Sequence, residues 1–342
     1  MDYFLKYPKV NILKNYIIKD PICDWFEINN NGEYIRDENT YYKDFIIKES
    51  NNYKQHILQK IKELSEIDIP LSPTFSQTKG LIDNNSELIL QGILLDKNDI
   101  FVDCDIIISY QLFKKIFPRV DNLPFHLYYP QEKGYLLIDI CYNTLHFKID
   151  LKEVQNDGIL FYKKCRLFAF QEVFFELTGE KANCLLLGKE YYYKNTLLPK
   201  KEFLAKVEFN ETIYQTYYNA IQWIHYLREN YNKINIKPKP STLELYPNMN
   251  YNDTCWETEK IKLANHIKEI TLVWNISYNE RCELFDKGIY CWDDPKLLKE
   301  LKSSKKKSIQ ERMIHMNQQN DVVLYPRKNV SDLCNTILQN EE

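Results

Sequence analysis

Residues 101–108, FVDCDIII, and 135–141, YLLIDIC, decide the reading of this chain. Each is an apolar, β-branched run that carries one aspartate well inside it, Asp105 in the first and Asp139 in the second. A carboxylate is costly in an apolar strand unless it is paired, hydrogen-bonded or bound to a metal. Two of them on neighbouring strands are an arrangement that holds a hard divalent cation such as Mg2+ or Mn2+. Strand side chains alternate, so the residue two places after Asp139 shares its face, and that residue is Cys141. Asp103 and Asp105 share a face by the same rule, and one of them is expected to point at water.

Working outward, ELILQGILL, DIFVDCDIIISY and GYLLIDICYNTLHFKID read as three strands, with a short helix from Tyr110 to Phe117 inside the second connection. Before them, Val10 to Phe26 and Tyr42 to Ser65 read as helices. The second has Tyr53, Ile57, Leu58, Ile61 and Leu64 at helical spacing. After them, Phe161 to Leu177 reads as an aromatic helix closed by Gly179, followed by the strand CLLLG. Beyond Pro199 the texture turns helical. Tyr214, Tyr217, Ile221, Ile224 and Leu227 stripe one helix, which PKPSTLELYPN ends. Thr254 and Glu257 have capping-box spacing and open a helix with Leu263, Ile267, Ile270 and Trp274 on one face. The turn NISYN and the helix ERCELFDKG follow, then a basic segment and a polar tail.

Composition limits the function classes. The 342 residues carry 45 Lys and Arg against 48 Asp and Glu, a net charge of −3, so any nucleic-acid contact must be local. Nine cysteines occur without a CxxC pair or a Cys/His quartet, which argues against zinc, an iron-sulfur cluster or a disulfide framework. There is no signal-peptide core and no membrane-length apolar run, so the expectation is a soluble, intracellular chain without a membrane partner.

These segments together resemble the RecB-type branch of the PD-(D/E)XK nuclease superfamily, specifically the multidomain predicted nucleases of bacteria and large DNA viruses. The resemblance runs through NYIIKDPICDW, the strand pair with Asp105 and Asp139, the helix beginning FYKKC, LLLGKEYYYKN, ELYPNMNYNDTCW and EITLVWNISYNERCELFDKGIYCWDDP. It implies an α/β (α+β) fold: a restriction-endonuclease-like core with a mixed sheet flanked by helices, followed by a mainly helical domain. The implied division is 1–200 for the nuclease-like domain, 201–300 for a helical domain with a helix-hairpin-helix-like module, and 301–342 for the basic segment and tail. A viral origin would place it in the cytoplasm or nucleus of a host cell. Full-length relatives continue into an RNase H-like exonuclease domain about where this chain stops. The resemblance therefore implies a split or truncated product, with a separate RNase H-like exonuclease protein as a partner.

The motifs of that family are altered here. The early helix pattern that resembles FIxxGxxFE reads IIKESNNYK, with Ser50 in place of the glycine and Lys54 in place of the acid. The metal-binding aspartates match Asp105 and Asp139. The lysine that would polarise the attacking water falls on Cys141, and a neutral thiol does not supply that charge. The glutamine and tyrosine of the fourth motif fall on Cys165 and Ala169. Lys54 beside the cation's seat would repel it, since unit charges roughly 4 Å apart at an effective dielectric of about 20 interact by about 4 kcal/mol. Lys54 would instead neutralise the aspartates as a structural ion pair.

The expected function is thus a nuclease-fold protein of DNA metabolism with an eroded metal site, a DNA-binding or interaction module with no cofactor. The alternative is an active Mg2+- or Mn2+-dependent DNA nuclease in which Lys163 or Lys164 replaces the missing lysine. Plain structural readings stand beside both: Asp139 capping a bulge, Cys141 as strand packing, and His126 and His146 as ordinary structure. For nucleic acid, the resemblance to a hairpin module offers the turn at Asn275 and Ser277. Lys163, Arg281 and the lysines at 302 and 305–307 would add phosphate contacts, among them Lys305, Lys306 and Lys307.

Overall fold

The computed structural model describes residues 13–30, 32–69, 71–118, 134–149, 151, 153–156, 158–198, 204–251, 255–301 and 306–318. They fall into two compact units. One takes the residues up to Ile18 together with Asn39–Tyr231, and the other takes Lys19–Glu38 with the residues from Asn232 onward. The division expected at 200/201 therefore falls at 231/232, because the helix of residues 211–230 packs on the first unit. In chain order the described elements begin α1 (Leu13–Ile17), α2 (Ile22–Ile28), α3 (Tyr41–Ser65) and α4 (Phe75–Asp83). Next come β1 (Leu88–Leu95), β2 (Phe101–Ser109), α5 (Tyr110–Ile116), β3 (Tyr135–Ile140), β4 (Thr144–Phe147) and α6 (Gly158–Thr178). The first unit closes with β5 (Asn183–Leu187), β6 (Glu190–Tyr193), β7 (Thr196–Leu197), β8 (Ala205–Val207) and α7 (Glu211–Asn230). The second unit adds α8 (Glu257–Ile267), α9 (Tyr278–Asp286), α10 (Leu297–Glu300) and α11 (Lys307–Gln318) to α2.

The fold is α+β, with a mixed sheet flanked by helices and a helical C-terminal region. The main sheet has the order β1-β2-β3-β5-β8, antiparallel except for the parallel pair β3/β5. A parallel neighbour needs a crossover, and the 21-residue α6 provides it. One face of the sheet presents Leu88, Leu90, Ile106, Ile108, Leu136 and Ile138, which pack with Leu58 and Ile61 of α3. The alternate side chains of β2 and β3, which include Asp103, Asp105 and Asp139, belong to the opposite face, where α6 lies.

Two local features set up the site. The β2/β3 ladder runs from Ser109↔Tyr135 to Ile106↔Ile138 and ends there, although β2 continues along β1 to Phe101. Where the ladder ends, the Asp105 carboxylate takes over as acceptor, with Ile140 N–H donating to Oδ2 at 2.8 Å. The second feature corrects the sequence reading. GYLLIDICYNTLHFKID is two strands, β3 ending at Ile140 and β4 joining a separate sheet of order β4-β6-β7. Both parallel chains bend together: Cys141 N–H donates to Leu187 O and Lys189 N–H to Asn143 O. Gly188 sits in that bend because a Cβ there would lie 2.6 Å from Leu145 Cγ.

Other expectations also shift. The helix expected over Val10 to Phe26 is broken among the described residues into α1 and α2, by Lys19 at φ 68° and by Pro21. The helix Phe75–Asp83, with a capping box from Thr74 and Gln77, carries too weak an apolar stripe to have been anticipated. The expected face Leu263, Ile267, Ile270, Trp274 is not one helix: α8 stops at Ile267 under a left-handed Lys268, Ile270 lies in a 3-10 turn, and Trp274 is exposed. Trp256 occupies the N-cap of α8, and Thr254 lies outside the described residues, as do His126, Lys302 and Lys305. In the second unit, Lys260 of α8 and Asp20 form a fully buried pair at 2.8 Å, tying the segment before α2 to a helix 240 residues later.

A candidate metal centre closed by an arginine

Lys163 and Arg166 are three residues apart on α6, so they share one face of that helix. That face lies against Asp103, Asp105 and Asp139. The Arg166 guanidinium reaches all three. Nη1 donates to Asp139 Oδ1 and Oδ2 at 2.9 and 3.0 Å, Nη2 to Asp105 Oδ1 at 3.2 Å and Asp103 Oδ2 at 2.6 Å, and Nε to Asp103 Oδ1 at 3.1 Å. Arginine suits this position because its planar fork offers five donors in fixed directions, whereas an ammonium offers a single point of charge.

Two lysines complete the cluster. Lys163 Nζ donates to Asp139 Oδ1 at 3.3 Å and to Ile140 O at 3.2 Å. Lys54 arrives from α3, on the far side of the sheet, and pairs with Asp105 Oδ1. Three formal negative charges thus meet three positive ones. Asp105 and Asp139 are 1% exposed, so their pairs are formed away from water, while Asp103 is 43% exposed and its pair is partly screened. Asp103 is the one of the two β2 acids that reaches solvent, and it still engages Arg166.

The electrostatics follow from burial and these partners. Burial pushes Asp105 up, but Arg166, the hydrogen bond shared with Asp139, Lys54 and Lys163 outweigh it and hold the group below the usual carboxylate range. Burial dominates at Asp139, opposed by Arg166 and Lys163 and reinforced by the negative charge of Asp105, and it pushes the group up to about 7. Arg166 is held well above its ordinary value, since Asp139, Asp105 and Asp103 outweigh the effect of burial. Cys141 is fully buried beside this cluster, and burial pushes its thiol up to about 12, so at neutral pH it is an uncharged packing group. Cys165 is buried on α6 next to Arg166.

The residues present do not fit Mg2+ or Mn2+. A hard cation needs oxygen donors with free lone pairs and a negative field. Here the Asp105 and Asp139 oxygens are already engaged by ammonium, guanidinium or backbone N–H, and the formal charge of the cluster sums to zero. Among the described residues, no group of three or more His, Cys, Asp or Glu side chains is arranged to hold a metal ion. The sequence reading placed Lys54 as the neutralising charge. The structure puts Lys54 on Asp105 alone and gives the central place to Arg166, which sequence reasoning missed. A signal did exist, in Lys163 and Arg166 at helical spacing on an otherwise apolar helix. Lys164, the other displaced-lysine candidate, turns away and donates to Val154 O at 3.2 Å and Asn156 Oδ1 at 2.6 Å.

The nucleic-acid residues of the second unit are placed differently from the expectation. Arg281 is 1% exposed; it pairs with Glu269 at 3.2 Å and donates to Tyr246 O and Pro247 O, so it does not face a phosphate. Asn275 adopts φ 64°, and its Oδ1 accepts from Lys306 Nζ at 3.1 Å. Ser277 caps α9, and the Glu280 carboxylate accepts from Ser277 N–H at 2.8 Å. That carboxylate occupies the anion position of the helix N-terminus, where a phosphate would have to sit. Lys306 is exposed and Lys307 half-buried at the start of α11. No described helix is long and apolar enough to cross a membrane. Comparison with protein-family models and with curated proteins finds no match to this chain.

Two outcomes are expected. Arg166→Ala leaves buried carboxylates uncompensated and should cost about 3–5 kcal/mol in urea unfolding, with Arg166→Lys intermediate because the fork is lost. The second concerns pH. Folded Asp139 holds its proton more tightly than an unfolded carboxyl near 3.8, so the stability it contributes is complete below about pH 4 and is lost as the pH rises through 7. Asp105, depressed on folding, acts in the opposite sense and loses its contribution only as the pH falls below its ordinary 3.8. Between those limits the native chain should lose stability relative to Asp139→Asn as the pH rises; a constant difference would contradict this assignment.

Proposed function

We propose that this chain is a nuclease-fold protein of DNA metabolism whose metal seat has been taken over by an arginine, acting as a DNA-binding or interaction module rather than as a hydrolase. The observation that carries this reading is the Arg166 guanidinium, hydrogen-bonded to Asp103, Asp105 and Asp139 at once. Phosphodiester hydrolysis of the metal-assisted kind needs a Lewis acid at these carboxylates, and a guanidinium there neither polarises a water nor exchanges for a substrate oxygen. The order of a helix, three antiparallel strands, a crossover helix and a parallel strand supports the nuclease-fold part of the reading, alongside the motif resemblance. DNA contact draws its support from Lys306 and Lys307 at the start of α11, which would bind phosphates without reading sequence.

One observation favours the alternative of a working enzyme. Lys163 lies 3.3 Å from Asp139, where a migrated lysine would stand, and it already holds Ile140 O. That reading requires Arg166 to leave the cluster, and leaving would strand three carboxylates beside one another.

A single pair of assays separates the readings. The purified chain, with Asp139→Asn as control, is expected to leave single- and double-stranded DNA intact in Mg2+ and in Mn2+, and cleavage lost in the Asp139→Asn variant would establish the alternative. Binding to the same DNA is expected to weaken steeply with salt and further with Lys306→Glu plus Lys307→Glu, the slope of log affinity against log salt falling by roughly one per phosphate contact removed. Absence of binding at low salt would leave only the interaction role.

A further inference from the structure

Helix α3 is 25 residues long, and its first buried side chain is Leu58. From Tyr41 to Asn52 no residue is buried, so about 18 Å of helix stands off the sheet that its second half covers. This segment is not polar. Tyr41, Tyr42, Phe45, Ile46 and Ile47 are 97, 74, 56, 36 and 43% exposed. Single exposed apolar residues are ordinary on a protein surface, but five within seven positions on one helix are a contiguous patch. An unpacked helical segment of about twelve residues is also marginal in water on its own propensity. Tyr42, Phe45, Ile46, Glu49 and Tyr53 follow the i, i+3, i+4, i+7 spacing of a helix-packing seam.

The charges on the segment say what covers it. In an antiparallel pairing of two copies centred on Ile46, Asp44 stands level with Lys48 of the second copy and Lys43 with Glu49, and two-fold symmetry repeats both pairs. Ile46 then meets itself, and Phe45 meets Ile47. A parallel pairing would instead set every charge against its own like. Self-complementarity under a two-fold axis is the property an isologous interface requires, and a surface evolved for an unrelated partner has no need of it.

We propose that the exposed half of α3, Tyr41–Asn52, is a homodimerisation surface on which a second copy of this chain packs antiparallel about Ile46. The inference is independent of the reading of the ion cluster. The seam is short against a standard interface, so the dimer is weak, with a dissociation constant on the order of 10 μM.

Sedimentation equilibrium of the full chain across that concentration range tests it. The native chain is expected to shift from monomer to dimer, and Phe45→Ser with Ile46→Ser to remain monomeric with unchanged near-ultraviolet circular dichroism. Asp44→Lys alone should weaken the dimer by roughly three- to ten-fold, as the loss and reversal of two exposed pairs, and adding Lys48→Asp should restore it. Ile46→Cys, placed on the axis, should form a disulfide-linked dimer under mild oxidation. A chain that stays monomeric throughout overturns the proposal, as does a dimer that ignores Phe45→Ser with Ile46→Ser. A dimer indifferent to both charge reversals overturns the antiparallel register.

Discussion

One guanidinium sets the character of the first unit. Arg166 is fully surrounded by the carboxylates it neutralises, and the strand ends, the bend after Ile140 and the position of α6 all meet at it. Taking ionised groups out of water costs several kcal/mol each, and only close, well-directed partners offset that cost. Asp105 meets this condition with Arg166, Lys54 and the Ile140 N–H, and Asp139 with Arg166 and Lys163. The β2/β3 ladder can stop at Ile106 because the Asp105 side chain supplies the acceptor that the backbone no longer does. Burying two acids in a sheet is therefore affordable here only as part of a six-membered ionic cluster.

The same chemistry decides what the cluster can do. A site that binds a divalent ion is held open and electronegative, with donors waiting. This one is closed and formally neutral. Lys54, Lys163 and Arg166 come from two helices on opposite faces of the sheet, so the cluster also clamps α3 and α6 to the strand ends between them. Its contribution is structural. Any remaining business with nucleic acid falls to surfaces elsewhere, and the self-capped α9, with Glu280 at its N-terminus and Arg281 buried, is a poor phosphate site.

Much of this architecture is legible in the sequence. The β-branched runs around Asp105 and Asp139, the stripe from Tyr53 to Ile61 and the left-handed Gly179 are strong local signals, and the corresponding strands and helices form. Local signals fail where tertiary pairing overrides them. Nothing in YLLIDICYNTLHF marks the bend at Cys141, which exists because β5 and β6 bend alongside it at Gly188. The site was half legible. Asp105, Asp139 and Lys54 could be located by pattern, because an acid in an apolar run stands out. Arg166 could not be ranked above Lys163 or Lys164, since helical spacing allows all three to approach the sheet and only the crossing of α6 over β2 and β3 selects one. Arg281 illustrates the converse: an arginine at a helix start reads as a surface charge, yet Glu269 and two backbone carbonyls bury it.

The account rests on Arg166 standing where a cation would. Calorimetric titration of Mn2+ into the native chain and into Arg166→Ala measures this most directly. The account predicts no binding by the native chain in the micromolar to millimolar range and the appearance of a single Mn2+ site in Arg166→Ala, abolished by Asp139→Asn. Tight Mn2+ binding by the native chain that disappears with Asp139→Asn would contradict it.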